Sequence, residues 1–177
     1  MKKEALVHFL FLFAFFVFVS IKRDLFTFYH LPFWLGGIVG TILPDLDHLL
    51  YAFFLRPQEL LSQRAKYLVK NKEYKRVIEL FIDTRYERTT QIFHTVTFQL
   101  IFLVLTFLIV TSSGSIFGTG LVLAFSLHFL VDQIVDFFEM DTLDTWFRQI
   151  PVKAEKDKQV IYWLLILFLL LLIAFVL

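Results

Sequence analysis

"GTILPDLDHLLYAFFL" (residues 40–55) places Asp45, Asp47 and His48 inside one of the most apolar parts of an apolar chain. The flanking Leu, Ile and Phe suit a helix that crosses a bilayer. Its acidic residues do not, since one isolated charge at mid-bilayer costs about 2.5–3.5 kcal/mol on the insertion scale. A spanning reading therefore requires partners for these groups elsewhere in the chain. Pro44 has no N–H to donate and tends to kink a helix, which frees carbonyls and opens room beside the carboxylates.

The rest of the chain agrees with a bilayer as solvent. Of its 177 residues 58% are hydrophobic and 24 are Phe, against about 45–50% apolar residues in a soluble domain. Mean hydropathy is +0.72. There is no Cys, which excludes a disulfide frame and a thiolate metal site and leaves His and carboxylates as the strong metal ligands. No Gly-rich phosphate loop, internal repeat or low-complexity linker breaks the chain, so residues 1–177 read as one membrane domain. Five hydrophobic spans are expected, at about 5–21, 32–55, 91–110, 116–138 and 160–177, each close to the ~20 residues a spanning helix needs. Cleavage after Ser20 would put Phe18 where a signal peptidase requires a small residue, so the first span reads as an uncleaved helix. Pro32 suits a helix start. The expected fold is all-α, a polytopic membrane helix bundle.

The polar stretch 56–89 is the exception. Leu61, Ala65 and Leu68, then Tyr74, Val77, Ile78 and Phe81, recur at three- and four-residue spacing. This predicts two short amphipathic helices broken near Asn71, lying on the membrane surface, with a solvated helical hairpin as the alternative. The insert carries nine Lys/Arg; with Lys2, Lys3, Arg148, Lys153, Lys156 and Lys158 it leaves only Lys22 and Arg23 on the opposite side of a five-span protein. The positive-inside rule then puts the N-terminus and the insert in the cytoplasm and the C-terminus outside, with Tyr162 and Trp163 at the cytoplasmic interface.

On that topology the intramembrane polar residues converge. His8 in span one, Asp45, Asp47 and His48 in span two, His94 in span three, and His128 and Asp132 in span four all fall roughly 8–16 Å inside the cytoplasmic boundary at ~1.5 Å per residue. His128 and Asp132 are i and i+4 and share a helix face, which Asp136 extends. Asp45 and His48 are i and i+3. Carboxylates pressed together repel, and a divalent cation, with neutral imidazoles as co-ligands, would remove that repulsion. A buried hydrogen-bond network or an ion pathway is the alternative for the same residues. His30 lies on the other side and reads as interfacial.

These residues resemble the YdjM-like inner-membrane proteins, a family described as membrane-bound metal-dependent hydrolases. "GTILPDLDH" is similar to its G-x-x-x-P-D-[IL]-D-H signature, "LHFLVDQ" to its S-H-x-x-x-D helix, and His8 to its N-terminal His. "FHTVTF" resembles the end of its H-R-G-x-T-H-S motif, but Thr89 stands where the first His would fall and Thr90-Gln91 replaces Arg-Gly. Either the site has one ligand fewer, or Thr89 and Gln91 play an altered role. The family's distant similarity to zinc-dependent phospholipases C and single-strand nucleases implies phosphoester hydrolysis, although a fold-level analogy does not identify a substrate.

The expected site is thus a divalent centre, Zn with one or more ions, on His8, Asp45, Asp47, His48, His94, His128 and Asp132. Asp47 is the expected general base, with Thr89, Gln91 and Asp136 in support behind the ligands. The depth near the cytoplasmic headgroups implies membrane lipid as partner and a lipid or lipid-linked phosphate as substrate; a nucleic-acid partner is not expected. The alternative is a non-enzymatic membrane protein with a structural metal or polar cluster and a basic cytoplasmic docking surface.

Overall fold

The computed structural model describes residues 2–88, 90–151 and 154–175. It is 81% helix with no strand among the described residues. In chain order the helices are α1 (Lys2–Arg23), α2 (Leu31–Ile42), α3 (Leu46–Leu50), α4 (Leu60–Lys70), α5 (Tyr74–Asp83), α6 (Val96–Ser112), α7 (Ile116–Met140), α8 (Asp144–Phe147) and α9 (Lys156–Phe175). Four segments are long and apolar enough to cross a membrane: Leu6–Arg23, Phe28–Leu55, Ile116–Met140 and Lys156–Phe175. The fifth expected span corresponds to α6, apolar but 17 residues long. Phe13, Phe18 and Ile21 of α1, Ile101 and Val104 of α6, and Ile161 and Phe168 of α9 are all exposed. An outer belt of this kind belongs in hydrocarbon, and the chain is an integral membrane helix bundle.

The bundle is built around α7, which is buried without a break from Val122 to Gln133. Its partner is α2, and the two backbones nearly touch. A Cβ at Gly36 would stand 2.1 Å from the Phe117 carbonyl oxygen, one at Gly40 2.1 Å from that of Leu121, and one at Gly120 2.0 Å from that of Phe33. In lipid no hydrophobic effect draws helices together, so close packing across small residues such as Gly36-x-x-x-Gly40 carries the association. Polar staples complete the bundle. Gln133 donates to Gln99 across α6 and α7 (2.7 Å), Tyr162 of α9 donates to the same Gln99 oxygen (2.7 Å), and Thr106 meets Ser126 at 2.9 Å.

Pro44 does what its chemistry dictates. Between α2 and α3 the chain tightens into a 3₁₀ turn at Leu43–Asp45, and past α3 it loosens into a π turn at Tyr51–Leu55. The segment continues as one apolar rod from Phe28 to Leu55 but presents its polar residues on altered faces. The insert forms the two expected helices, α4 and α5, with Asn71 capping the first and Lys72 in the left-handed region (φ 60°). Leu61, Ala65, Val77 and Phe81 are buried against Tyr51 and Ala52, so these helices pack on the end of the second span. Leu60, Tyr67, Tyr74 and Ile78 remain exposed.

One boundary departs from expectation. The third span was expected from residue 91, but α6 starts at Val96, capped by the Thr95 hydroxyl, which accepts from the Phe98 amide. Residues 91–95 stay outside the helix, with the amides of Ile92, Phe93 and His94 recruited by a carboxylate described below. The α2–α7 contact yields a prediction. Gly40→Ala should lower stability by about 1–3 kcal/mol, the usual cost of overpacking. The lipid-facing Phe13→Leu should change it by less than ~0.5 kcal/mol. Thermal unfolding in detergent measures both, and equal shifts would mean that the helices are not in backbone contact.

Candidate metal centre

Five elements bring the polar residues together, and Asp132 is the meeting point. On α7 its carboxylate is 3% exposed. One oxygen accepts from His8 Nε2 of α1 at 3.0 Å and pairs with the Arg85 guanidinium at 3.0 Å. The other accepts from His94 Nε2 at 2.9 Å and lies 3.2 Å from His128 Nε2. His8, His128 and Asp132 each offer a ligand atom within 4.8 Å of the others, the one such metal-sized group among the described residues. Both ring nitrogens of His128 are buried without a hydrogen bond. A buried imidazole left unbonded beside a carboxylate is a donor set that suits a divalent cation, and two imidazoles with one carboxylate is a common zinc arrangement.

Around this triad the other expected ligands take distinct places. Asp45 lies 3.7 Å from His128 Nε2 and 3.9 Å from His48 Nε2, with its side chain 57% exposed. His48 Nδ1 accepts from the Gln91 side-chain amide at 2.9 Å, and its ring stacks on His94 at 5.3 Å. His94 faces two carboxylates, with Nε2 on Asp132 and Nδ1 3.1 Å from Asp47. Because both of its ring nitrogens lie against carboxylates, His94 in this arrangement orients Asp132 and stands outside the metal-sized group.

Asp47 is fully buried behind His94. Its carboxylate accepts the backbone N–H groups of Ile92 (3.0 Å), Phe93 (2.8 Å) and His94 (3.3 Å) as well as the His94 ring. It therefore acts as the clasp that pulls residues 92–94 out of α6. A carboxylate already shared among four donors is a poor base, and Asp45, not Asp47, lines the adjoining cavity. The expected assignment of the base to Asp47 does not fit this geometry; the two-residue step from Asp45 to Asp47 turns their side chains to different faces.

The supporting residues divide in the same way. Gln91 touches His48, as above. Asp136 accepts from Trp146 Nε1 of α8 at 2.6 Å and pairs with Arg85 Nε at 3.0 Å. Thr89 lies outside the described residues. His30 meets Thr27 Oγ1 at 2.8 Å at the far end of the bundle, before α2. Two residues were read from sequence only as part of the basic insert, Arg85 and Arg88. Their place three and six residues before Gln91, where the basic insert runs into the third span, was the available signal. Arg88 is 3% exposed; it donates to the Phe81 carbonyl (2.7 Å) and to Thr84 Oγ1 (3.3 Å). Burial, with Arg85 nearby, pushes its pKa down to about 10, so it remains a cation at neutral pH.

Two cavities reach the cluster. One, of about 410 Å³, has His8, His128, Asp132 and Asp45 in its walls together with Phe9, Ile42 and Ile78. The other, of about 520 Å³, is lined by Thr90, Gln91, His94 and Arg148. Compared with protein-family models, curated proteins and solved structures, the chain matches none.

The Asp47 clasp makes a prediction that is independent of function. Asp47→Asn should destabilise the protein by about 1–3 kcal/mol, because an amide cannot accept all of those bonds and adds an N–H facing donors. Asp45→Asn should shift stability by less than ~0.5 kcal/mol. Paired unfolding measurements decide between them; similar losses would show that residues 91–95 do not depend on Asp47.

Proposed function

We propose that the chain is a membrane-embedded, metal-dependent hydrolase of phosphoesters, acting on lipid or lipid-linked phosphates. The observation that supports this most is the His8, His128 and Asp132 triad at the wall of a cavity that sets apolar residues such as Phe9, Ile42 and Ile78 beside Asp45, Arg85 and Arg88. The motif resemblance in the sequence points the same way. His8, His128 and Asp132 would hold the cation, Zn in this reading, for which His and carboxylate are suitable ligands. Such a cation supplies a Lewis acid and makes water acidic enough to attack near neutral pH.

The chain's own residues supply the rest. His94, locked between Asp47 and Asp132, fixes the orientation of the ligating carboxylate. Asp45 has a free, partly exposed carboxylate 3.7 Å from His128 Nε2, and it is the general base of this reading. It takes a proton from water as the water oxygen bonds to phosphorus. The phosphorus–oxygen ester bond breaks, and the proton goes on to the departing alkoxide. The charge bias of the loops supports a cytoplasmic N-terminus and insert, which puts the site at the inner leaflet.

A second reading has one specific contact in its favour. Arg85 already pairs with Asp132 and Asp136, so the cluster can balance charge without a metal, as a structural network with the basic insert as a docking surface. Metal analysis separates the two. Purified wild type should carry a divalent ion, His128→Ala or Asp132→Ala should lose most of it, and His30→Ala should keep it. Chelator should lower the melting temperature of wild type but not of His128→Ala. No divalent ion after reconstitution would leave the structural network standing. Asp45→Asn should keep the metal and lose about 10²–10⁴ in phosphoester turnover; loss of the metal instead would make Asp45 a ligand. Cysteines at Lys72 and Ser115 should label from opposite faces of a sealed cell, Ser115 from outside; the reverse would move the site to the outer leaflet.

A further inference from the structure

Arg88 is a buried charge with no acid among its hydrogen-bond partners, Asp47 and Glu87 acting on it from further away. A guanidinium taken out of water is costly unless it is paired, yet the groups that receive its hydrogen bonds, the Phe81 carbonyl and the Thr84 hydroxyl, are neutral. Its Nε is buried with no partner at all, and the Phe81 ring lies 5.5 Å from its centre. Arg85 differs in spending its charge on Asp132 and Asp136. Arg88 also lines both cavities, the one of about 410 Å³ and the one of about 520 Å³.

The two cavities differ in their lining residues, the first having the larger share of apolar side chains and the second the larger share of polar ones. The first is walled on its outer side by Phe9 of α1, Ile42 of α2 and Ile78 of the insert, each about half exposed. The second opens past the exposed Thr90 and Arg148. A ligand that satisfies both has an apolar chain on the first side and an anionic head between them. Guanidinium is suited to oxyanions because its planar N–H groups match two oxygens at once.

We infer that Arg88 is an oxyanion-binding residue, holding the phosphate head of an amphiphile whose apolar chain leaves through the Phe9, Ile42 and Ile78 mouth. Naming phosphate rests on the hydrolase reading, but the binding itself needs neither metal nor turnover. The polar cavity is then the route by which water reaches the head and a water-soluble product leaves.

The test uses the full chain in a neutral detergent, stripped of metal by chelator, with inorganic phosphate and dodecyl phosphate as probes in calorimetry. Wild type should bind both, dodecyl phosphate at least about tenfold more tightly, since each buried methylene adds to affinity. Arg88→Gln should weaken both about 10- to 100-fold, the worth of a charged hydrogen bond, and Arg88→Lys should recover part of the loss. Ile78→Asp should remove the chain's advantage and leave inorganic phosphate unchanged. Phosphate that fails to bind stripped wild type overturns the inference whatever the variants do, as does equal binding by a folded Arg88→Gln. Equal affinity for the two probes overturns the amphiphile and leaves a site for free phosphate. Binding without hydrolysis under any metal would sink the hydrolase reading alone, and hydrolysis with an unchanged KM in Arg88→Gln would sink this one alone.

Discussion

The Asp132 carboxylate receives N–H groups or cationic charge from α1 through His8, from the residues before α6 through His94, and from the end of the insert through Arg85. Its own helix adds His128 one turn away. No single one of these contacts would justify an acid in a membrane helix, where an unpaired charge costs about 2.5–3.5 kcal/mol. Together they turn that cost into a tie between elements far apart in sequence. Removing the carboxylate would take the shared partner from His8, His94, His128 and Arg85 at once, leaving Arg85 with Asp136 and His94 with Asp47.

That unit needs the helices already in register. Gly36, Gly40 and Gly120 let α2 and α7 meet backbone to backbone, which carries the Pro44 turn to the level of His128 and Asp132. The 3₁₀ turn then assigns the two acids of "PDLD" to different tasks. On a helix, positions two apart are rotated by about 200°. Asp45 accordingly faces the cavity with 57% of its side chain exposed, and Asp47 faces inward to hold the amides of residues 92–94. One local distortion thus produces both an available carboxylate and the clasp that positions His94.

Much of this could be read from the sequence because bilayer physics restricts the choices. Apolar length gave the helices, the period of Leu61, Ala65, Val77 and Phe81 gave the insert, and a shared depth gathered His8, Asp45, His48, His94 and Asp132. The failures have a common origin in backbone hydrogen bonding. A hydropathy window cannot show that an acid in one span will capture amides at the start of another, so α6 was expected five residues too early and the Asp47 clasp was not foreseen. Arg85 and Arg88 were misjudged because a basic residue in a basic insert looks like a topology signal. Only packing shows that these two turn inward. The glycine contact was visible as Gly36-x-x-x-Gly40, but its partner on α7 was not.

The two arginines frame the chemistry between them. Arg85 balances the permanent acids: it sits on Asp132 and Asp136, and any cation held by His8, His128 and Asp132 shares a carboxylate with it. Such a cation therefore gains less from Asp132 than it would from an unpaired acid, which favours a divalent ion over a monovalent one, since Coulomb attraction scales with charge. Arg88 has no such acid in hydrogen-bond contact. Its charge is buried in the wall shared by the two cavities, with Asp47 and Glu87 acting on it only from beyond hydrogen-bond distance. The site is thus closely paired around Asp132 and more loosely paired at Arg88, with Asp45 and its largely exposed side chain on the cavity side of the cluster.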